Sequence, residues 1–141
     1  MLLLRRSLCT SRGTAGFVRL GFTPSTIFGV GEPTFLTARV FDTPPGVAFI
    51  KSCPHRSIRL STFGAEVYGP LAVSLPEHKP QPLIPPGGLA FSQQGLFLCV
   101  FYGQDPAWPV DYIGQIEDDW KALSGGGWSQ LSVDVHKPQQ G

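Results

Sequence analysis

The sequence predicts a mainly β domain, a closed or nearly closed barrel of about eight short strands with two short helices. Three observations support this prediction. Short segments of alternating apolar and polar residues recur between Thr34 and Val135. The 17 glycines and 14 prolines are scattered along the chain, which is typical of many turns between short elements. The pattern has no strand–helix–strand rhythm and no internal repeat, so it does not favour a parallel sheet.

The first half of the chain predicts two strands and a helix. Residues 34–41, "TFLTARVF", are rich in β-branched and aromatic residues and alternate as a strand. Asp42 or Thr43 can cap the short helix that follows, with proline in its first turn, and this helix must end before Pro54. Residues 57–63 return to a period of two, which predicts a second strand.

The second half is dominated by a predicted hairpin. Residues 65–69 are predicted to form a short strand. We expect residues 71–75 to continue the sheet after it. Residues 76–88 contain five prolines and must form an irregular surface connection. The segments 88–92 and 96–103 then flank the turn Gln93–Gly95. The second of them is apolar at nearly every position, which indicates burial on both faces.

The last part of the chain predicts a strand, a helix and a final strand. Residues 112–117 read as a strand, and residues 118–123 as one or two helical turns. Asp118 and Asp119 suit the positive N-terminal end of that helix. The glycines that follow end it, and residues 129–135 alternate as the last strand.

Length, composition and charge restrict the possible functions. A chain of 141 residues with 42% hydrophobic residues suits one domain with one core. Seven basic and ten acidic residues lie from Glu32 onward, so this part carries a net charge of −3. That charge argues against nucleic-acid binding, which depends on neutralising phosphates. No run of about 18 apolar residues is present, so we expect no membrane span.

The first 31 residues have a different composition from the rest. They contain leucine, arginine, serine and threonine and no acidic residue, which is typical of a mitochondrial presequence. The alternatives are a flexible extension and a wrongly assigned start of translation. We therefore expect residues 1–31 to lie outside the fold and the protein to reside in the mitochondrial matrix, with the cytoplasm as the alternative.

Cysteine and histidine positions do not indicate a metal or a cofactor. Cys9, Cys53 and Cys99 are widely spaced, and the three histidines lack metal-ligand spacing. Residues two apart on a strand share a face, so Cys53 and His55 could form a reactive pair. The alternative is that Cys53 is an unreactive thiol in a reduced protein. Cys99, within an apolar strand, is interpreted as a small buried hydrophobic residue.

Three motifs resemble a small family of cyclophilin-like proteins found mainly in prokaryotes. They are "FGAEVYG" (63–69), "LCVFYGQDP" (98–106) and "VDYIGQIEDDWKAL" (110–123). Phe63 and Tyr102 stand where the family usually has Trp and Phe. The positions that match the family pattern are Gly64, Glu66, Tyr68, Leu98, Cys99, Phe101, Gly103, Pro106, Val110, Gly114 and Ile116. The resemblance covers residues 34–135.

The resemblance implies a cyclophilin-like barrel of eight strands capped by helices. The domain boundaries are predicted at 32–136, followed by a polar tail, 137–141. Candidate ligand-binding residues come from the motifs and the loop beside them: Phe63, Glu66, Tyr68, Phe101, Tyr102 and Trp108. For Glu66 the alternative is a structural role, in which it bonds to a turn. For Trp108 the alternative is packing back onto the barrel.

Members of this family mostly have no known function, so the resemblance leaves several hypotheses. True cyclophilins isomerise peptidyl-prolyl bonds with an arginine beside an apolar groove. Arg56 and Arg59 are the candidates here, although neither has the spacing to a following Phe and Gln that cyclophilins show, and both could be solvated residues. The first hypothesis is a module that binds a small molecule or a peptide. The alternatives are a peptidyl-prolyl isomerase, which is the activity expected if the protein is an enzyme, and a non-catalytic assembly subunit. We expect a monomer or a homodimer.

Overall fold

The structure is a computed structural model that describes residues 13–26 and 29–137. Within these residues two helices lie among ten strands: α1 (Pro44–Ser52) and a 3₁₀ helix (Trp120–Gly125). The strands are β1 (Thr14–Thr26), β2 (Gly29–Val30), β3 (Thr34–Phe41), β4 (His55–Arg59), β5 (Ser61–Phe63), β6 (Glu66–Pro70), β7 (Gly88–Ser92), β8 (Phe97–Phe101), β9 (Asp111–Ile116) and β10 (Trp128–His136).

Nine strands form one nearly closed barrel in the order β4–β10–β1–β3–β9–β7–β8–β6–β5, and the short β2 pairs with β1. The two ends of this order, β4 and β5, are consecutive in the chain and meet at Leu60, whose N–H donates to the Ser129 carbonyl at 2.9 Å. Where these two ends meet, β6 also approaches β4. A Cβ on Gly69 of β6 would lie 2.4 Å from the Arg59 carbonyl oxygen of β4. The predicted barrel is confirmed, with one strand more than the eight expected.

The additional strand is β1, and it corrects the prediction that residues 1–31 lie outside the fold. Thr14–Thr26 lies between β10 and β3 and pairs antiparallel with both. Val18, Leu20 and Phe22 alternate along it and are fully buried. Their period of two is typical of a strand, whereas the composition of residues 1–31 is typical of a presequence. Residues 1–12, which form the first part of the predicted presequence, lie outside the described residues.

The barrel interior holds the larger hydrophobic cluster, and both helices close it. Phe49 of α1 and Leu123 of the 3₁₀ helix belong to this cluster, as does Trp128. Trp128 Nε1 donates to the Leu123 carbonyl at 3.0 Å, which holds the 3₁₀ helix against the start of β10. Neither helix in the described part of the chain has the length and apolar character needed to span a bilayer.

Both helices begin at a capping side chain, and the sequence predicts the first of these caps as one of two candidates. Thr43 Oγ1 accepts a hydrogen bond from the Gly46 N–H at 3.3 Å, and proline follows in the first turn of α1. Asp119 caps the second helix by accepting from the Lys121 N–H at 3.1 Å. That element is a 3₁₀ helix, which agrees with the predicted one or two helical turns and begins two residues later than expected.

Two predicted strands differ from the structure. The predicted strand at 57–63 is divided at Leu60 into β4 and β5, because the chain turns there from one end of the sheet order to the other. Residues 71–75 form no strand. Pro70 and Pro76 flank this segment and cannot donate to a ladder, while Leu71 and Leu75 are buried in the interior cluster.

The hairpin of β7 and β8 is confirmed, and β8 is buried on both faces as predicted. Leu98 and Val100 point into the barrel and join the interior cluster. Phe97, Cys99 and Phe101 point outward and pack in or against a second cluster, which also contains Ile84, Ala90 and Val110. The connections 71–87 and 102–110 supply part of this second cluster, so the outer face of β6–β8–β7 is covered rather than fully exposed.

Candidate functional site

A groove of about 340 Å³ lies on the outer face of β6 and β8, beside the connection 102–110. Apolar and aromatic side chains form most of its wall. Its lining residues are Phe63, Glu66, Tyr68, Ser92, Phe97, Cys99, Phe101, Pro106, Ala107, Trp108 and Val110. A concave apolar site with few polar groups is the usual form of a small-molecule site in proteins.

Strand register explains why these side chains meet. β6 and β8 pair antiparallel, so Glu66 lies opposite Phe101 and Tyr68 lies opposite Cys99. Because side chains two apart share a face of a strand, all four point outward together. The Tyr68 ring packs edge-on against the Phe97 ring with centroids 5.2 Å apart. The two strands therefore form one continuous wall of the groove.

The opposite wall is the connection 102–110, which hydrogen bonds hold in place. Trp108 Nε1 donates to Ser92 Oγ at 2.9 Å, and Ser92 itself is buried at the end of β7. Val110 and Gln81 exchange backbone hydrogen bonds of 2.8 and 3.1 Å, which join this connection to the proline-rich one. Trp108 is nevertheless 43% exposed. It therefore has both expected roles: it lines the groove, and its bond to Ser92 holds it against the barrel.

Asp111 holds the proline-rich connection, residues 76–88, through hydrogen bonds to its backbone. Its buried carboxylate accepts the backbone N–H of Lys79 at 2.8 Å and that of His78 at 3.3 Å. These bonds join segments more than 30 residues apart. A smaller cavity of about 210 Å³ lies beside Asp111 and shares Val110 with the groove.

Glu66 is the acidic residue of the groove, and its carboxyl group is half-buried. Burial raises its pKa because the charged form loses hydration, while hydrogen bonds from Cys99 and Gln104 act in the opposite direction. Gln104 also holds the β5–β6 turn: its Oε1 accepts from the Ala65 N–H at 2.8 Å and its Nε2 donates to the Phe63 carbonyl at 2.9 Å. Glu66 therefore lines the groove and also lies beside Gln104, the side chain that holds the turn.

We expect Glu66→Gln to be more stable than the parent protein at pH 7 and to lose this advantage at low pH. Because the folded pKa is raised, Glu66 favours the folded state below its unfolded pKa, and this contribution is lost as the pH rises through the folded value. Urea unfolding at pH 7 and below about pH 4, the range in which an ordinary glutamate is protonated, measures the difference.

The control is Glu117→Gln, which removes an exposed carboxylate that lies 3.3 Å from Arg39 Nε. This variant should show no stabilisation at pH 7, since it loses an ion pair and relieves no burial. A Glu66→Gln protein that is less stable than the parent at pH 7 would contradict the expectation.

The structure brings five of the six predicted ligand-binding residues together at the groove: Phe63, Glu66, Tyr68, Phe101 and Trp108. Tyr102 does not line it. Its ring is buried in the barrel interior, and its hydroxyl lies 3.5 Å from the Gly64 carbonyl oxygen. Tyr102 follows Phe101 directly, so the two side chains leave the backbone on opposite faces.

The two candidate catalytic arginines lie away from the groove. Arg56 Nη2 is 3.3 Å from a carboxylate oxygen of Asp134 on the exposed surface. Arg59 lies on β4 opposite Gln130 of β10 and is also exposed. No arginine lines the groove in the described parts of the chain. The arrangement that prolyl isomerisation requires therefore has no support from these residues.

Cys53 and His55 do not form a reactive pair. The Cys53 thiol contacts the Phe49 carbonyl at 3.4 Å, and burial raises its pKa to about 11. His55 Nε2 lies 2.8 Å from Ser52 Oγ, and its ring stacks on Phe49. A thiol with a raised pKa is a poor nucleophile at neutral pH. Within the described residues no group of three or more His, Cys, Asp or Glu side chains could hold a metal ion.

Sequence reasoning missed six residues of the groove: Ser92, Phe97, Cys99, Pro106, Ala107 and Val110. A signal was available for two of them, since Phe97 and Cys99 share a face with Phe101 at a period of two. No comparable signal identified Ser92, because its place depends on its pairing with Phe97 across the hairpin.

Comparisons with known proteins agree with the fold. A family model described as Cyclophilin-like matches residues 28–127. The solution structure of the hypothetical protein AF2241 from Archaeoglobus fulgidus is similar, with a TM-score of 0.63 and 19% identity, covering 90% of this chain and 99% of that one. The structure of McbB in complex with tryptophan has a TM-score of 0.63 and 17% identity, covering 88% of this chain and 46% of McbB. No curated protein matches the chain.

Proposed function

The chain belongs to the cyclophilin-like family, and from this premise we propose that it is a binding module whose outer groove takes a small aromatic molecule. The observation that carries the proposal is the pair Phe63 and Trp108, which flank the groove and are 63% and 43% exposed. A ligand that covers large exposed aromatic side chains removes much apolar surface from water, which makes the free energy of binding more favourable.

The size and rigidity of the groove favour a small molecule over a peptide. A volume of about 340 Å³ is within the range of ligand pockets but near its lower end. Paired strands form one wall, and hydrogen bonds through Ser92 and Val110 hold the other, so little ordering is required on binding. The structural neighbour McbB is in complex with tryptophan, and the indole ring of that molecule is of suitable size for the groove.

Indole is a suitable probe, and nuclear magnetic resonance titration followed by calorimetry tests the proposal. Resonances of groove residues should shift on titration, and Trp108→Ala should weaken binding about tenfold, equivalent to about 1.4 kcal/mol. Phe35→Ala is the matched control, since Phe35 is 47% exposed and lies outside the groove. Equal affinity of the Trp108→Ala variant and the parent, or shifts confined to other surfaces, would count against the proposal.

We also propose that residues preceding β1 direct the protein to the mitochondrial matrix. The support is their composition, which includes Arg5, Arg6 and Arg12 and no acidic residue. Because β1 begins at Thr14, a processed protein that keeps the barrel must be cleaved before this residue. Mass spectrometry of the protein from isolated mitochondria measures the mature N-terminus, and a terminus beyond Thr14 would contradict the proposal.

A further inference from the structure

The groove carries one charged side chain and has no opposite charge in its wall. Glu66 is an acid, and no Lys, Arg or His is among the lining residues. The ion pairs found among the described residues, Arg39 with Glu117 and Arg56 with Asp134, lie elsewhere. The hydrogen-bond partners of Glu66 are the thiol of Cys99 and the amide of Gln104, both of which are neutral.

A half-buried carboxylate in apolar surroundings is stabilised incompletely by neutral donors. Its raised pKa has burial as its largest cause, so the two hydrogen bonds do not offset the loss of hydration. A cation brought by a ligand would supply the missing counter-charge. A ligand carboxylate would instead meet a like charge and find no basic side chain in the wall.

The aromatic residues around Glu66 fit the same class of ligand. Tyr68 lies two residues from Glu66 on the same outward face, with Phe97 packed edge-on against it. Trp108 stands on the opposite wall. Ring faces attract an ammonium group and stack against a flat apolar ring. Recognition of a ring and of an amine can therefore take place in one groove.

From this arrangement we infer that the ligand is an aromatic amine without a carboxylate, whose ammonium group is bound by Glu66. The inference rests on the proposed function and narrows it to one chemical class. Glu66 selects the ligand by charge, and the aromatic walls bind its ring. The same arrangement discriminates against free aromatic amino acids, because their carboxylate would have no basic side chain to meet.

Three indoles with the same ring and the same two-carbon linker test the inference: tryptamine, 3-propylindole and indole-3-propionate. Their end groups are an ammonium, a methyl and a carboxylate. Calorimetry at pH 7.5 with the parent protein should give at least tenfold tighter binding of tryptamine than of 3-propylindole. Indole-3-propionate should bind most weakly of the three.

The matched variant is Glu66→Gln, which keeps the shape and hydrogen-bonding capacity of the side chain and removes its charge. In this variant tryptamine and 3-propylindole should bind within about threefold of each other. Retained binding of 3-propylindole shows that the variant is folded and its groove intact. Phe35→Ala, outside the groove, should keep the preference of the parent protein.

The outcomes separate the two proposals. If 3-propylindole binds and the parent shows no preference for tryptamine, the amine class is wrong while the aromatic groove stands. If the preference persists in Glu66→Gln, Glu66 is not the recognition group and the inference fails. If none of the three indoles binds, the proposed function fails and the inference fails with it.

Discussion

A chain that lacks residues 1–26 is expected to lose the folded barrel. β1 pairs with β10 on one side and β3 on the other, so its removal leaves a gap inside the sheet rather than a shortened edge. Burial of Val18, Leu20 and Phe22 contributes about 4.5–9 kcal/mol at about 1.5–3 kcal/mol each. That is comparable with the whole free energy of unfolding of an ordinary domain, about 5–15 kcal/mol.

Circular dichroism during thermal unfolding and the dispersion of amide resonances measure this effect. The matched control is a chain that begins at Gly13, which removes the preceding segment and keeps all of β1. We expect a cooperative transition for the control and none for the chain that begins at Ile27. A cooperative transition at the parent temperature in the shorter chain would show that β1 is dispensable, contrary to its place in the barrel.

The second large effect is expected from Phe91→Ala, compared with the same substitution at Phe63. Phe91 points into the barrel and is fully buried, so its truncation should cost about 3–5 kcal/mol of unfolding free energy. Phe63 is 63% exposed, and its truncation should change stability by about 0.5 kcal/mol or less. Urea unfolding measures both values.

For ligand affinity the order of the two effects should be reversed: Phe63→Ala should have the large effect and Phe91→Ala the small one. Phe63 lines the groove, so Phe63→Ala should weaken indole binding about tenfold. Phe91 does not line it, and Phe91→Ala should bind indole with the parent affinity under conditions where the variant is folded. A Phe63→Ala protein that loses stability instead of affinity would show that the groove wall belongs to the core.

Local patterns allowed several elements to be predicted correctly. Thr43 was one of two predicted caps for α1, and the turn at Gln93–Gly95 was visible between two apolar runs. The continuous apolar pattern of β8 indicated burial on both faces, which the interior and outer clusters confirm. These features depend on residues within a few positions of one another, so the chain's local chemistry is sufficient to specify them.

Other features required contacts between distant segments. The interior position of Tyr102 and the burial of Leu71 follow from how β6, β8 and their connections pack. β1 contains one arginine, Arg19, and no acidic residue, so its composition is also typical of a targeting segment. Arg19 in fact lies over the exposed face of Phe35, with its guanidinium carbon 4.0 Å from the ring centroid, while the alternate residues of β1 face the core.

For the candidate site, alternation along each strand already placed Glu66 and Tyr68 on one face, because that relation is local to the backbone. The groove itself depends on pairing and on loop packing. Phe63 and Trp108 lie 45 positions apart in the chain. They line one groove only because β5 pairs with β6, β6 pairs with β8, and Ser92 holds the connection that carries Trp108. No periodicity within a segment can encode a contact between segments, since such a contact exists only once the barrel has closed.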